Sequence, residues 1–229
     1  MITTWTCERP GGRVSQELAV QVLPEKTDNP PHILVVPALF DEANKLRRLT
    51  IEVMRRLGEQ GVATTLPDLP GMNESLAPLQ EQTLSQWRTD TANAANRFDA
   101  SHILAIRGGA LIAPQDLPGW HYAAASGERL IRSMLRARII ASREAGREET
   151  TSGMTAQGIK QGIEIGGWQL GARLFAEMHE AEPLPNSNQT AIQESTTRGS
   201  GLWLRAEPSE DPELAEALAA QIAGTLSAS

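Results

Sequence analysis

Apolar positions along the chain follow two alternating patterns. Short unbroken apolar runs at 33–36 and 103–106 predict strands that are buried on both faces of a sheet. Leucine and valine residues between 46 and 57 recur at helical spacing, and an extended pattern resumes at 62–66. Strand and helix therefore alternate, which predicts a mostly parallel sheet with helices on both faces.

Further elements are predicted on either side of this central part. Residues 10–12, Pro-Gly-Gly, separate two extended segments and predict a hairpin. Thr83 and Gln86 fit a capping box at the start of a helix that leads into the second apolar run. Residues 120–125 predict the next strand. The apolar triplet 202–204 predicts the last strand, and a closing helix is predicted after it.

The pattern changes at Gly127, where an amphipathic helix dense in arginine begins. Residues 153–171 are rich in glycine, which favours a flexible loop at 162–171, and 183–201 is polar enough for another loop. We therefore predict a single domain, 1–229, in which 127–182 is a cap insertion over the sheet.

The end of the run 103–106 carries the most informative motif. Ala105 and Gly109 are the small residues that flank a strand-to-helix elbow of the G-x-S-x-G kind, in which a tight turn exposes the nucleophile. The nucleophile position is Arg107. Arginine stays protonated and cannot attack a carbonyl, so the sequence indicates a hydrolase frame more firmly than an activity.

Three segments together resemble a known family: 37–48, 66–71 followed by Ser75, and the arginine-bearing elbow. The chain is similar there to the exosortase A system-associated hydrolase 2 family, with the best match over about 33–113. The resemblance implies an α/β-hydrolase fold, a three-layer sandwich with a helical cap. It also implies a setting near bacterial exopolysaccharide and protein-sorting gene clusters, and an elbow that tends to carry arginine.

The histidines do not fit a catalytic triad. Hydrolases of this fold need a nucleophile, then an acid, then a histidine after the last strand, and no histidine follows His179. His32 and His102 stand at strand entrances, away from the elbow, and His121 falls inside a strand. No Ser-His-Asp triad is expected. No residues have metal-ligand spacing, so neither a metal nor another cofactor is expected.

Two interpretations of Arg107 remain open. In the first, its guanidinium forms a bidentate pair with Asp41 or Glu42 and closes the old active site. In the second, Arg107 and the backbone N–H groups at the following helix start hold a carboxylate, phosphate or sulfate. The loop after the first central strand is where the fold usually places its oxyanion loop. The ligand-binding candidates are Leu39, Asn44, Lys45, Arg107 and Gly108.

Charge and apolar pattern indicate which partners and which location to expect. The formal charge of −7 over 229 residues disfavours a nucleic-acid surface. No apolar run approaches the length of a membrane span, and the start lacks the pattern of a secretory signal, so a cytoplasmic protein is expected.

Two functions fit these observations. One is a hydrolase-like, non-catalytic module that binds a small anionic ligand, a saccharide derivative or a partner. The alternative is a noncanonical hydrolase or acyl-transfer enzyme acting on an ester or saccharide derivative.

Overall fold

A seven-stranded sheet organises the protein. The structure is a computed structural model that describes residues 1–9, 12–25, 27–184, 186–194 and 201–227. Five central strands are parallel, and the N-terminal hairpin joins one side antiparallel, in the order β1-β2-β4-β3-β5-β6-β9. The strands are β1 (Ile2–Arg9), β2 (Arg13–Val22), β3 (His32–Val36), β4 (Ala63–Pro67), β5 (His102–Ile106), β6 (Gly119–Tyr122) and β9 (Gln189–Ile192). A separate two-stranded hairpin consists of β7 (Ile163–Ile165) and β8 (Trp168–Leu170).

Six α-helices are described, together with three short turns of 3₁₀ helix. The helices are α1 (Asp41–Glu59), α2 (Leu84–Arg97), α3 (Gly127–Glu144), α4 (Thr151–Gln161), α5 (Ala172–Glu180) and α6 (Pro212–Ser227). The 3₁₀ turns are Leu79–Glu81, Arg107–Leu111 and Leu202–Leu204. At the start of α2, Thr83 Oγ1 accepts from the Gln86 N–H at 3.0 Å, which confirms the predicted cap.

Helices cover both faces of the sheet. On one face Ile33 and Val35 of β3 belong to a buried cluster with α1 and α6. On the other face Leu34 and Val36 belong to a cluster with α2 and the helices of the 127–182 segment. Alternate residues of one strand thus enter opposite cores, as expected for a strand buried on both sides. The predicted three-layer α/β fold class is confirmed.

The 127–182 segment leaves the sheet and returns to almost the same point. The Gly127 N–H donates to the Ala181 carbonyl at 2.9 Å, so the two ends of the segment meet. Glu177 of α5 connects the 127–182 segment to α2. Oε2 of Glu177 accepts from the N–H groups of Leu84 and Ser85 at the start of α2. Its role as a cap insertion in a single domain stays a prediction.

Three local expectations were wrong. Residues Leu202–Leu204 form a 3₁₀ turn and not a strand, because Gly201 is left-handed (φ 55°) and its carbonyl accepts from the Leu204 N–H. The polar stretch 183–201 contains the edge strand β9, which buries only Gln189 and Ile192; residues 185 and 195–200 lie outside the described residues. The glycine-rich residues 162–171 contain the β7–β8 hairpin and not a flexible loop.

Candidate functional site

The elbow lies at the carboxyl edge of the sheet, at its topological switch point. From β3 the chain crosses one face through α1 to reach β4, and from β4 it crosses the other face through α2 to reach β5. The connections that follow β3 and β5 therefore diverge. Open α/β sheets bind ligands in the crevice that such a divergence creates.

Close backbone packing holds the elbow against β3. A Cβ on Gly109 would lie 2.5 Å from the Val36 carbonyl oxygen and 2.6 Å from that of Pro37, so only glycine fits there. Arg107 has a positive φ of 53°, and so do Phe40 after β3 (56°) and Ala123 after β6 (46°). Such strained backbone in non-glycine residues often gathers at functional sites.

Arg107 is 2 % exposed, and each of its three guanidinium nitrogens donates a hydrogen bond. Nε donates to Glu42 Oε2 at 3.0 Å and Nη2 donates to Glu42 Oε1 at 2.9 Å, a two-point ion pair. Nη1 donates to the Ala123 carbonyl at 2.7 Å. The first of the two interpretations of Arg107 is therefore the arrangement observed.

An aromatic ring covers the guanidinium. The carbon Cζ of Arg107 lies 4.1 Å from the centre of the Trp203 ring, a cation–π contact. Trp203 follows the last strand, and its ring also meets Tyr122 edge-on at 6.3 Å. Arg107 is thus enclosed by residues that follow β3, β6 and β9.

Gly108 is covered by apolar side chains. A Cβ placed on it would lie 2.6 Å from Leu130 Cδ1 and 3.2 Å from Leu39 Cγ. Leu39 and Leu130 are themselves buried. An anion could reach the Gly108 backbone only if one of these leucines moved.

A cavity of about 210 Å³ opens beside the ion pair, between α1 and α3. Leu39, Phe40, Lys45 and Trp203 form part of one wall, and Met134 of α3 forms part of the other. Of the predicted candidates, Leu39 and Lys45 line the cavity. Asn44 is exposed and lies outside it, and Arg107 and Gly108 lie beneath the residues that line it.

Lys45 is the cation of this cavity. Its Nζ lies 2.7 Å from Asp41 Oδ2 and 3.5 Å from the Trp203 carbonyl oxygen. Its side chain is 16 % exposed, against 54 % for that of Asp41. The Lys45 ammonium is therefore held mainly by a carboxylate that is itself half in water.

His32, His102 and His121 are placed away from the guanidinium. His32 and His102 begin β3 and β5, roughly 16 Å of strand from the elbow. Burial lowers the pKa of both, although Asp99 acts in the opposite direction on that of His32. His121 lies in β6 between Trp120 and Tyr122, so its side chain points to the sheet face opposite theirs. His179 is near the end of α5.

Within the part of the chain that the structure describes, no three His, Cys, Asp or Glu side chains are grouped as metal ligands would be. Among the described helices, none combines the length and apolar character of a membrane span.

Comparison with solved structures defines the fold. The chain is similar to a protein from Agrobacterium vitis S4 named as a hydrolase, at 13 % identity and a TM-score of 0.56 over 100 % of this chain and 98 % of that one. It is also similar to mouse α/β hydrolase domain-containing protein 10, at 12 % identity and a TM-score of 0.55 over 99 % of each chain. The protein has the α/β-hydrolase fold.

A third hydrolase-fold likeness is to DcsB, solved with a substrate analogue, at 11 % identity and a TM-score of 0.54 over 100 % of both chains. No model of a known protein family matches the sequence, and no protein of curated function does. At these identities the likeness establishes the α/β-hydrolase fold and leaves the chemistry to the site itself.

The sequence pattern does not reveal the role of three residues of this site. The apolar pattern places Trp203 in a strand, and it places the α3 residues Leu130 and Met134 only in a helix stripe. The glycine before Leu202 is the available signal for a turn, since glycine adopts the left-handed conformation without strain. Nothing local indicates that Trp203 stacks on Arg107.

Proposed function

We propose that this α/β-hydrolase-fold protein is a non-catalytic module that binds a small anionic ligand or saccharide derivative at the carboxyl edge of its sheet. The observation that carries the proposal is the state of Arg107. At the nucleophile position it is buried, paired at two points with Glu42 and covered by Trp203. An elbow occupied in this way presents neither a nucleophile nor space for a substrate carbonyl.

The ligand site of this proposal is the cavity beside the ion pair. Arg107 is paired with Glu42, and leucine side chains cover Gly108. Neither Arg107 nor Gly108 is therefore free to hold an anion at the elbow itself. Lys45 is a cation in the cavity wall, and Leu39 provides apolar surface beside it. Pockets that combine apolar walls with a few polar groups are the usual form of small-molecule sites.

The biological setting belongs to the same proposal. The resemblance of 33–113 to the exosortase A system-associated hydrolase 2 family supports a place in bacterial exopolysaccharide or protein-sorting systems. A cytoplasmic location and the lack of a nucleic-acid partner are proposed with it, in keeping with the net charge of −7.

A fluorophosphonate probe tests the non-catalytic assignment. The folded protein is expected to remain unlabelled, because an activated serine is needed for the probe to react. A serine hydrolase of the same fold serves as the positive control, and the heat-denatured protein as the background. Stoichiometric labelling of one serine would favour the alternative, a noncanonical hydrolase or acyl-transfer enzyme.

A further inference from the structure

The Lys45 ammonium in the wall of the cavity is only partly held by acceptors of the chain itself. It carries three N–H groups, and its contacts are Asp41 Oδ2 at 2.7 Å and the Trp203 carbonyl oxygen at 3.5 Å. Its side chain is 16 % exposed, so it can also donate to a ligand in the cavity.

The carboxylates nearby cannot fill this need as they stand. Both oxygens of Glu42 accept from Arg107. Asp41 reaches Lys45 but is 54 % exposed, so it can turn to water if a better acceptor arrives. A ligand carboxylate supplies two oxygens that can accept from the Lys45 ammonium in place of Asp41.

The rest of the lining limits the body of the ligand. Most of the lining is apolar, and Ser133, Asp41 and Glu42 are its polar members besides Lys45; the apolar side chains include Leu39, Phe40, Leu130, Met134 and Ala137. Sugar hydroxyls placed against the apolar side chains would lose their hydrogen bonds to water without replacement. The volume of about 210 Å³ lies below the roughly 300–1,000 Å³ of pockets that take drug-sized molecules.

We propose that the cavity between α1 and α3 binds a short carboxylate with an apolar body, held by Lys45 in competition with Asp41. This inference rests on the proposed function and names its ligand class: an aliphatic or aryl carboxylate in preference to a carboxylated sugar. Asp41 acts as an internal competitor that occupies Lys45 when the cavity is empty.

Titration calorimetry with hexanoate tests the proposal, with hexanamide and glucuronate as matched ligands. Hexanoate is expected to bind at least tenfold more tightly than either, because hexanamide lacks the charge and glucuronate lacks the apolar body. Lys45→Gln is expected to weaken hexanoate binding by about tenfold or more. Lys160→Gln, at an exposed position on α4, should leave the affinity unchanged.

Asp41→Asn is expected to change the affinity for hexanoate in the opposite direction. Removing the competing carboxylate is expected to tighten hexanoate binding several-fold, whereas a purely structural role for Asp41 would leave the affinity unchanged or weaken it. Since Asp41 is half-exposed, this variant is expected to fold.

Several outcomes would overturn the inference: no hexanoate binding, equal binding of hexanamide, tighter binding of glucuronate, or unchanged or weaker hexanoate binding by Asp41→Asn. Tighter glucuronate binding would leave the proposed module standing, and only the apolar ligand class would fail. Fluorophosphonate labelling would instead remove the proposed function itself.

Discussion

Arg107 and Glu42, 65 residues apart in the sequence, form a two-point ion pair with N–O distances of 2.9 and 3.0 Å. One follows β5 and the other begins α1 after β3, so the pair joins two connections that diverge from neighbouring strands. The side chains are 3 % and 13 % exposed. Breaking a pair this deeply buried leaves one charge without compensation, which is more costly than replacing both partners.

The Arg107–Glu42 pair yields a stability prediction. Arg107→Met is expected to lower the free energy of unfolding by about 3–5 kcal/mol, because it leaves the Glu42 carboxylate buried without a charged partner. The double variant Arg107→Met with Glu42→Leu is expected to recover a substantial part of that loss. Urea denaturation measures the free energy of unfolding of both variants.

The matched control for this experiment is Arg132→Met, which breaks the exposed pair with Glu128 on α3. It is expected to change stability by no more than about 1 kcal/mol. The single variant Glu42→Leu completes the comparison. If the free energy of unfolding lost by the double variant equalled the sum of the losses in Arg107→Met and Glu42→Leu, Arg107 and Glu42 would be energetically independent.

Restoring a hydroxyl at the elbow is not expected to restore catalysis. Arg107→Ser should show no turnover of a p-nitrophenyl ester above that of the unchanged protein, since a serine without an adjacent base is a weak nucleophile. His121, in the strand next to β5, points to the face opposite the core that contains Trp203. Clear turnover by the folded variant would reveal a base at the elbow that the present geometry does not provide.

Gly109 is expected to tolerate no side chain. Gly109→Ala should lower the free energy of unfolding by about 2–4 kcal/mol, because the new methyl group would overlap the carbonyls of Val36 and Pro37, which are backbone atoms that cannot rotate away. Gly224→Ala in α6 is the matched control. It has open space around it and is expected to gain about 0.5–1 kcal/mol from helix propensity. Equal effects at the two positions would contradict the close packing of the elbow.

Buried His121 predicts a pH dependence of stability. Burial lowers its pKa below the ordinary 6.5, with Gln189 acting in the opposite direction. The unfolded chain then binds more protons than the folded protein, so this contribution is complete above pH 6.5 and is lost as the pH falls through the lowered pKa. Denaturation at about pH 7.5 and about pH 5.5 should show lower stability at the acidic value.

His121→Phe keeps a ring and removes the titration, so it is expected to reduce this loss of stability between the two pH values. His32 and His102, whose pKa values burial also lowers, should maintain a residual slope in the variant. An unchanged slope in His121→Phe would show that His121 does not contribute to it.

Local sequence pattern was sufficient for the elements that it dictates. Unbroken apolar runs placed β3 and β5, helical spacing placed α1, and Thr83 placed the start of α2. The small residues around position 107 also located the elbow, and the acids at 41 and 42 supplied the candidate partner of Arg107. These features depend on neighbours within one or two turns or strands, so they are visible in the sequence itself.

Tertiary structure decided the rest. Parallel pairing with β6 turned a polar stretch into β9, and a single left-handed glycine made 202–204 a turn. The same long-range packing selected Glu42 over Asp41, brought Trp203 onto the guanidinium and set Leu130 over Gly108. Hydrophobic burial and ion pairing depend on distance in space, and residues far apart in the chain carry no local sign of which of them will meet.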